Sequence, residues 1–314
     1  AAVALTPLLT SDDAPRARLS RAGVLLAWQR WAPFLNHSLM PTGALTQCFS
    51  TSEAQSLAKT IQELGFDTDW VQYIGAGQRL EPNGIALRYG GAYFSKGLTV
   101  YPELLLQQLL SHPLITPVAA RVCAVENQHG MWHLATEQHG EIRTEQVVLA
   151  NAAGSKSLLA SLVPQADRVL SMDELGGQSS VIAAQALSFT SQSILAGQGY
   201  VVPVDAARYV VGSTYEAVDA GISLSSHQQI MQKVGELMPL KSAAPALAAW
   251  FGQRVALADH FPVVTQALPG LWVNTGYGSY GFSWAAIAAD LISTHLAAEP
   301  VVLERDLSRA LYLR

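Results

Sequence analysis

PGLWVNTGYGSYGFSWAAIAADLISTHL, residues 269–296, reads as a strand, a glycine-rich turn and a helix in succession. Leu271-Trp272-Val273 is a short apolar run, Gly276, Gly278 and Gly281 punctuate a turn, and an apolar-rich helix is predicted from about Phe282 to Leu296. Glycine has no Cβ, so the backbone can turn sharply and come close to a ligand. The helix behind the turn aims N–H groups and a positive end at an anion or an electron-rich ring. Taken literally, Gly276-Tyr277-Gly278-Ser279-Tyr280-Gly281 matches the G-x-G-x-x-G dinucleotide fingerprint, and Val301-Val302-Leu303-Glu304 offers a second strand ending in an acid. That fold needs further parallel strands beyond the acid, and only ten residues follow Glu304. Two readings stand: a turn that approaches a cofactor, or a packing turn between a last strand and a last helix.

The rest of the chain bounds the class. At 314 residues, 50% hydrophobic and 14% charged, it can bury one large core or two ordinary ones. The most apolar window, 282–298, is broken by Ser283, Asp290, Ser293, Thr294 and His295, so no membrane span is expected. A net charge of −5 gives no general electrostatic case for nucleic acid, though that sum is silent on local basic patches. Cys48 and Cys123 leave room for one disulfide, but two buried free thiols in a reducing cytosol are the expectation. Eight histidines and two cysteines show no zinc-type spacing, so no metal is expected.

Helices are predicted at about 14–34, with Asp12 or Asp13 as cap, at 51–64 with Thr51 or Ser52 as cap and Gly65 as stop, and at 101–111, 155–162 and 225–238. Strands are predicted at 43–50, 70–74, 85–94, 119–126, 131–137, 147–150, 178–184, 199–204 and 208–213. Turns at 75–78 and at Glu81–Gly84 separate two of them, and 253–264 reads as extended. Short strands, some in hairpins, mixed with helices indicate an α/β or α+β architecture.

Four segments in this order, ALTPLLT (4–10), GLTVYPELLLQQLL (97–110), VVLANAAGS (147–155) and GQRVALADHFPVV (252–264) followed by LWVNTGYGSYGFSWAA, resemble the FAD-dependent D-amino-acid oxidase and glycine oxidase superfamily. Within it they are most similar to the FAD-dependent C-terminal domain of the bifunctional tRNA 5-methylaminomethyl-2-thiouridine biosynthesis proteins. The residues that carry this are Pro7-Leu8-Leu9, Gly97 with Pro102-Glu103-Leu104, Asp259-His260-Phe261-Pro262 and Gly278-Ser279-Tyr280-Gly281. The resemblance implies an FAD-binding domain of the glutathione-reductase type, interleaved with a mixed or antiparallel-sheet substrate domain. The cofactor side takes 1–35, 96–165 and 253–314, and the substrate side 36–95 and 166–252. The family's own fingerprint lies before the residues matching Ala1 onward, so the chain is expected to lack its first βαβ unit and an upstream methyltransferase domain.

The resemblance also implies chemistry and site residues. A flavin takes a hydride from a carbon beside nitrogen and the imine hydrolyses, so no catalytic triad is expected. Ala152 and Gly154 end a strand that passes the FAD pyrophosphate, and Gly276, Gly278, Ser279, Tyr280 and Gly281 lie against the flavin. Arg254 is expected to hold a substrate carboxylate, which a planar guanidinium does with two parallel bonds. Tyr200, Tyr215, His260 and Tyr280 line the substrate. Tyr280 replaces the family's arginine, which removes a direct ionic contact there. Each of these residues also has an ordinary structural reading, as a surface ion pair, a sheet aromatic or a satisfied histidine. The substrate is expected to be tRNA carrying a carboxymethylated wobble uridine, in the cytoplasm. The alternatives are a small-molecule glycine or D-amino-acid oxidase and a non-catalytic fragment without FAD.

Overall fold

The computed structural model describes residues 2–80, 85–163, 170–241, 244–301 and 303–312. Local signals become element ends. Ser50 Oγ accepts from the Glu53 N–H at 3.1 Å and the Glu53 carboxylate accepts from the Phe49 N–H at 2.8 Å, which starts the helix Thr51–Leu64. Gly65, at φ 61°, stops it. Three hydroxyl residues stand in a row here, and the cap is the one whose backbone is still extended, so Ser50 takes the place expected of Thr51 or Ser52. Pro15 and Pro102 open the helices Pro15–Arg30 and Pro102–Leu110. Asp13 does not cap the first of these: it pairs with the buried Arg21 instead, and Ala14 is the cap residue, with no side-chain bond.

Contacts divide the chain into two compact units, Ala1–Ser111 with Gly176–Gly252 and His112–Leu175 with Gln253–Arg314. The first holds most of a mixed eight-stranded sheet in the order Ala248–Leu257, Met172–Ala183, Arg208–Gly212, Tyr200–Asp205, Ile194–Ala196, Ala44–Gln47, Gly90–Phe94, Val71–Gly75, of which residues 253–257 and 172–175 belong to the second unit. Ile194–Ala196 runs parallel to Ala44–Gln47, while Tyr200–Asp205 and Arg208–Gly212 form an antiparallel hairpin. The helix Leu224–Leu237, capped by Ser223, presses Ile230, Val234 and Leu237 onto Leu45, Val201 and Val211. A smaller antiparallel sheet of Val3–Leu5, Leu98–Val100 and Leu39–Pro41 buries Leu5, Leu39 and Leu98 completely. That sheet draws 1–35 and 96–111 into the first unit.

The second unit contains an antiparallel meander, Val122–Gln128, Met131–Thr136 and Gly140–Thr144, and a three-stranded sheet in the order Val147–Leu149, Leu271–Thr275, Val263–Leu268. Its core is Val125, Trp132, Leu149, Leu159, Leu271 and Val273, with Trp132 Nε1 donating to the Pro269 carbonyl at 3.2 Å.

Two expectations are corrected. Cys48 is buried, which pushes its thiol up to about 11, but Cys123 is exposed; both are free. Cys123 sits on a strand of which only Val125 is fully covered, so alternation does not bury it. Among the described residues of 301–304 there is no strand: Glu304 is the cap of a short helix, Arg305–Arg309. Val302 and the Glu81–Gly84 turn lie outside the described residues.

Candidate cofactor and substrate site

Val147–Leu149 and Leu271–Thr275 lie side by side and parallel, in the register Val147 to Leu271, Val148 to Trp272 and Leu149 to Val273. Parallel neighbours end at the same edge of their sheet, so both chains leave it together. One enters Asn151-Ala152-Ala153 and the helix Gly154–Ala160; the other enters Gly276 to Tyr280 and the helix Gly281–Leu296. Neither helix has a side-chain hydrogen bond at its cap, and neither has an acid in its first turn. The first-turn N–H groups of a helix have no partner within it. Two strand ends of small residues, each feeding a helix without a side-chain cap, suit a large electron-rich group in the crevice beyond the strands' carboxyl ends.

Side chains hold the first turn. Thr275 Oγ1 donates to the Ala152 carbonyl at 3.0 Å, which ties one turn to the other strand. Ala152 takes φ 52°, a left-handed conformation unusual for a residue with a Cβ. Ser155 Oγ donates to Asn151 Oδ1 at 2.8 Å, and the Asn151 amide lies over Gly154, where a Cβ would come within 2.6 Å of it. Sequence reasoning set the run 151–154 along the cofactor but missed the side-chain bonds made by Asn151, Ser155 and Thr275. Thr275→Val should therefore cost about 1 kcal/mol of stability and weaken cofactor retention, while Thr275→Ser, which keeps the hydroxyl, should behave as wild type. Thermal unfolding with parallel measurement of bound flavin checks both.

The second turn is anchored on the Ala248–Leu257 strand. The Gly278 N–H donates to the Val255 carbonyl at 2.8 Å, and Ala256 bridges to Tyr277. Gly276 and Gly278 adopt φ 80° and 54°, and a Cβ on Gly276 would stand 2.1 Å from Leu257 Cδ1. Burial pushes the Tyr277 phenol far above its usual range, and its hydroxyl donates to Asn274 Oδ1. Tyr280 is half-buried with its ring centroid 5.0 Å from that of the buried Trp284, and Ser279 is exposed.

Of the other expected site residues, Arg254 is half-buried, one residue before the Val255 carbonyl that anchors the glycine turn. His260 is exposed in the turn between Ala248–Leu257 and Val263–Leu268, at φ 60°. Tyr200 and Tyr215 belong to the first unit. The Tyr200 ring lies over Gly212 of the paired strand, where a Cβ would be 2.4 Å from its hydroxyl. Tyr215 is 64% exposed, with the Lys233 ammonium 5.9 Å from its ring centroid. Among the described residues no group of three or more His, Cys, Asp or Glu could hold a metal ion, and no helix is long and apolar enough to cross a membrane.

The architecture has close counterparts among solved structures. Glycine oxidase from Geobacillus kaustophilus superposes with a TM-score of 0.77 at 20% identity, over 96% of this chain and 83% of that one. L-proline dehydrogenase from P. horikoshii gives 0.76 at 14% identity, over 98% and 88%. At these identities the likeness is one of fold. Among curated proteins, the tRNA 5-methylaminomethyl-2-thiouridine biosynthesis bifunctional protein MnmC of Paraburkholderia phytofirmans is 28% identical over 96% of this chain, and that of Burkholderia multivorans 29% over 97%. The chain spans about half the length of these relatives, 51% in each case. The family model for FAD dependent oxidoreductases (DAO) matches residues 3–294. With that match running from the first strand into the last turn of the last long helix, through both small-residue turns, the chain belongs to the DAO family of FAD-dependent oxidoreductases.

Proposed function

We propose that FAD is received at the paired turns of the second unit and that the protein oxidises a C–N bond of a carboxymethylated amine on tRNA. The observation that carries the cofactor placement is the parallel pair Val147–Leu149 and Leu271–Thr275, with both strands ending in small residues before helices without side-chain caps. Ala152 and Gly154 on one side, and Gly276, Gly278, Ser279, Tyr280 and Gly281 on the other, would hold the group. FAD, when bound, supplies a two-electron acceptor for a hydride leaving the carbon beside nitrogen.

The protein's part is to bind, orient and exclude water. Arg254 is placed by its strand one residue from the anchor of the glycine turn, and its fork suits a carboxylate. Tyr280, held by the buried Trp284, offers an apolar wall with a hydroxyl. We assign Tyr200, Tyr215 and His260 to the substrate side as part of the same proposal. The ligand-based division, 1–35, 96–165 and 253–314 for cofactor and 36–95 and 166–252 for substrate, groups residues by what they serve rather than by compactness.

The tRNA substrate rests on the names of the MnmC relatives, each of which is about twice as long as this chain. The reaction would break the bond between the side-chain nitrogen and the carboxymethyl carbon. Hydride loss from that carbon gives an imine, and water then releases a two-carbon aldehyde acid and leaves the aminomethyl group on the uridine. A fused methyltransferase activity and a cytoplasmic location belong to the same proposal.

The test is nucleoside mass analysis of tRNA bearing 5-carboxymethylaminomethyl-2-thiouridine after incubation with the flavin-loaded protein. Conversion to the aminomethyl nucleoside with release of the two-carbon acid is expected. Turnover of glycine or D-amino acids with no change in the tRNA would move the substrate to the small-molecule class. A full-length protein that takes up no FAD would contradict the whole reading.

A further inference from the structure

The C-terminal segment of the second unit forms a cleft of about 390 Å³ whose lining includes His295, Leu303, Arg305, Ser308, Arg309 and Tyr312. Arg305 and Arg309 lie one helical turn apart on Arg305–Arg309, so both guanidiniums rise from one face. Among the described residues that line this cleft none is acidic; the acids of the same segment, Glu299, Glu304 and Asp306, are outside that lining. Two exposed like charges at this spacing repel mildly, and an anion held between them would relieve that.

The cleft is held on a firm base. Leu307 and Leu311 are 2% and 1% exposed, and the Val264 N–H donates to the Leu311 carbonyl at 2.8 Å, which docks the segment on the Val263–Leu268 strand. His295 packs edge-on to Trp272, with ring centroids 5.3 Å apart. Its Nδ1 is 2.8 Å from the Leu291 carbonyl, which can only accept, so Nδ1 carries the hydrogen and the ring is fixed at the cleft wall by that bond.

We propose that this cleft binds the phosphodiester backbone of tRNA, away from the small-residue turns. The inference rests on the tRNA reading of the substrate. With a net charge of −5, an acidic protein that binds tRNA needs a local cationic patch. Arginine forks and a tyrosine hydroxyl are donors that contact phosphate and sugar, and such contacts position a nucleic acid without reading its sequence; the buried Ser308 hydroxyl is already given to the Leu303 carbonyl at 3.4 Å. The 45% exposed Tyr312 adds a ring face beside them.

The experiment is a salt series. Binding of unfractionated bacterial tRNA to the whole, flavin-loaded protein is measured against sodium chloride for wild type, Arg305→Ala with Arg309→Ala, and Arg309→Glu. Loss of two phosphate contacts should flatten the plot of log affinity against log salt by about two units, and the charge reversal should weaken binding at low salt. Arg305→Lys with Arg309→Lys keeps the charges and should keep the slope. Flavin content, thermal midpoint and turnover of the free modified nucleoside should not change, because both arginines are exposed. An unchanged slope in the double alanine variant, with wild type binding tRNA, overturns the cleft and leaves the proposed reaction standing. A wild type that turns over the nucleoside but does not bind tRNA overturns the cleft and the tRNA substrate together.

Discussion

Arg254→Ala is expected to lower kcat/KM for a carboxylate-bearing amine by roughly one and a half to four decades. Truncating one side of a desolvated, hydrogen-bonded charge pair costs about 2–5 kcal/mol, at about 1.4 kcal/mol per decade. The position makes the effect specific. Arg254 is half-buried on Ala248–Leu257, and the next residue supplies the carbonyl that accepts from Gly278. The backbone thus fixes the guanidinium's origin relative to the turn that faces the flavin in this account. Arg254→Lys should recover only part of the loss, because an ammonium cannot form two parallel bonds. Bound flavin should be unchanged in both variants. The discriminating comparison uses the acid and its decarboxylated analogue: equal losses on the two would remove Arg254 from the substrate site and make it structural.

Gly276→Val should lower both stability and bound flavin. A residue with a Cβ at φ 80° pays about 1–2 kcal/mol for the left-handed backbone. The new Cβ would also stand 2.1 Å from Leu257 Cδ1 in a buried contact, and overpacking of that kind costs about 1–3 kcal/mol more. Roughly 2–5 kcal/mol of stability should go, and flavin with it. Gly130→Val is the control: its φ is 87° but nothing lies within 4 Å of a Cβ there, so only the backbone share should appear. Adding Leu257→Ala to Gly276→Val should return part of the loss, a coupling that a double-mutant cycle reads directly. If Gly276→Val and Gly130→Val unfold at the same denaturant concentration, the close approach to Leu257 is not what Gly276 provides.

Much of the fold was legible because its signals are local. Gly65 and the two prolines mark helix ends by conformational necessity, and Gly276 to Gly281 marks the last strand-to-helix turn. Alternation and turn residues located two of the hairpins, Val122–Gln128 with Met131–Thr136 and Tyr200–Asp205 with Arg208–Gly212, but not that of Met131–Thr136 with Gly140–Thr144. Pairing between distant segments was not legible. Nothing near Val147–Leu149 announces that its parallel neighbour is Leu271–Thr275, more than a hundred residues on, because register is decided by burial and not by local pattern. For the same reason the side-chain roles of Thr275 and Asn151 were not legible: each acts across a turn, on Ala152 and over Gly154, that exists only once the strands are side by side. The first half of Met172–Ala183 was missed because MDELGG shows neither alternation nor an apolar run. The site residues themselves came from resemblance, since a flavin enzyme shows no nucleophile and base for spacing to reveal.

The most direct test is an experimental structure of the whole protein with FAD bound. The account predicts the isoalloxazine within about 4 Å, the ordinary range of apolar contact, of the backbone of Gly276 to Tyr280. The N-terminus of Gly281–Leu296 would be directed at the ring, and the Asn151–Gly154 turn would lie along the cofactor. FAD bound with neither turn in contact would contradict it.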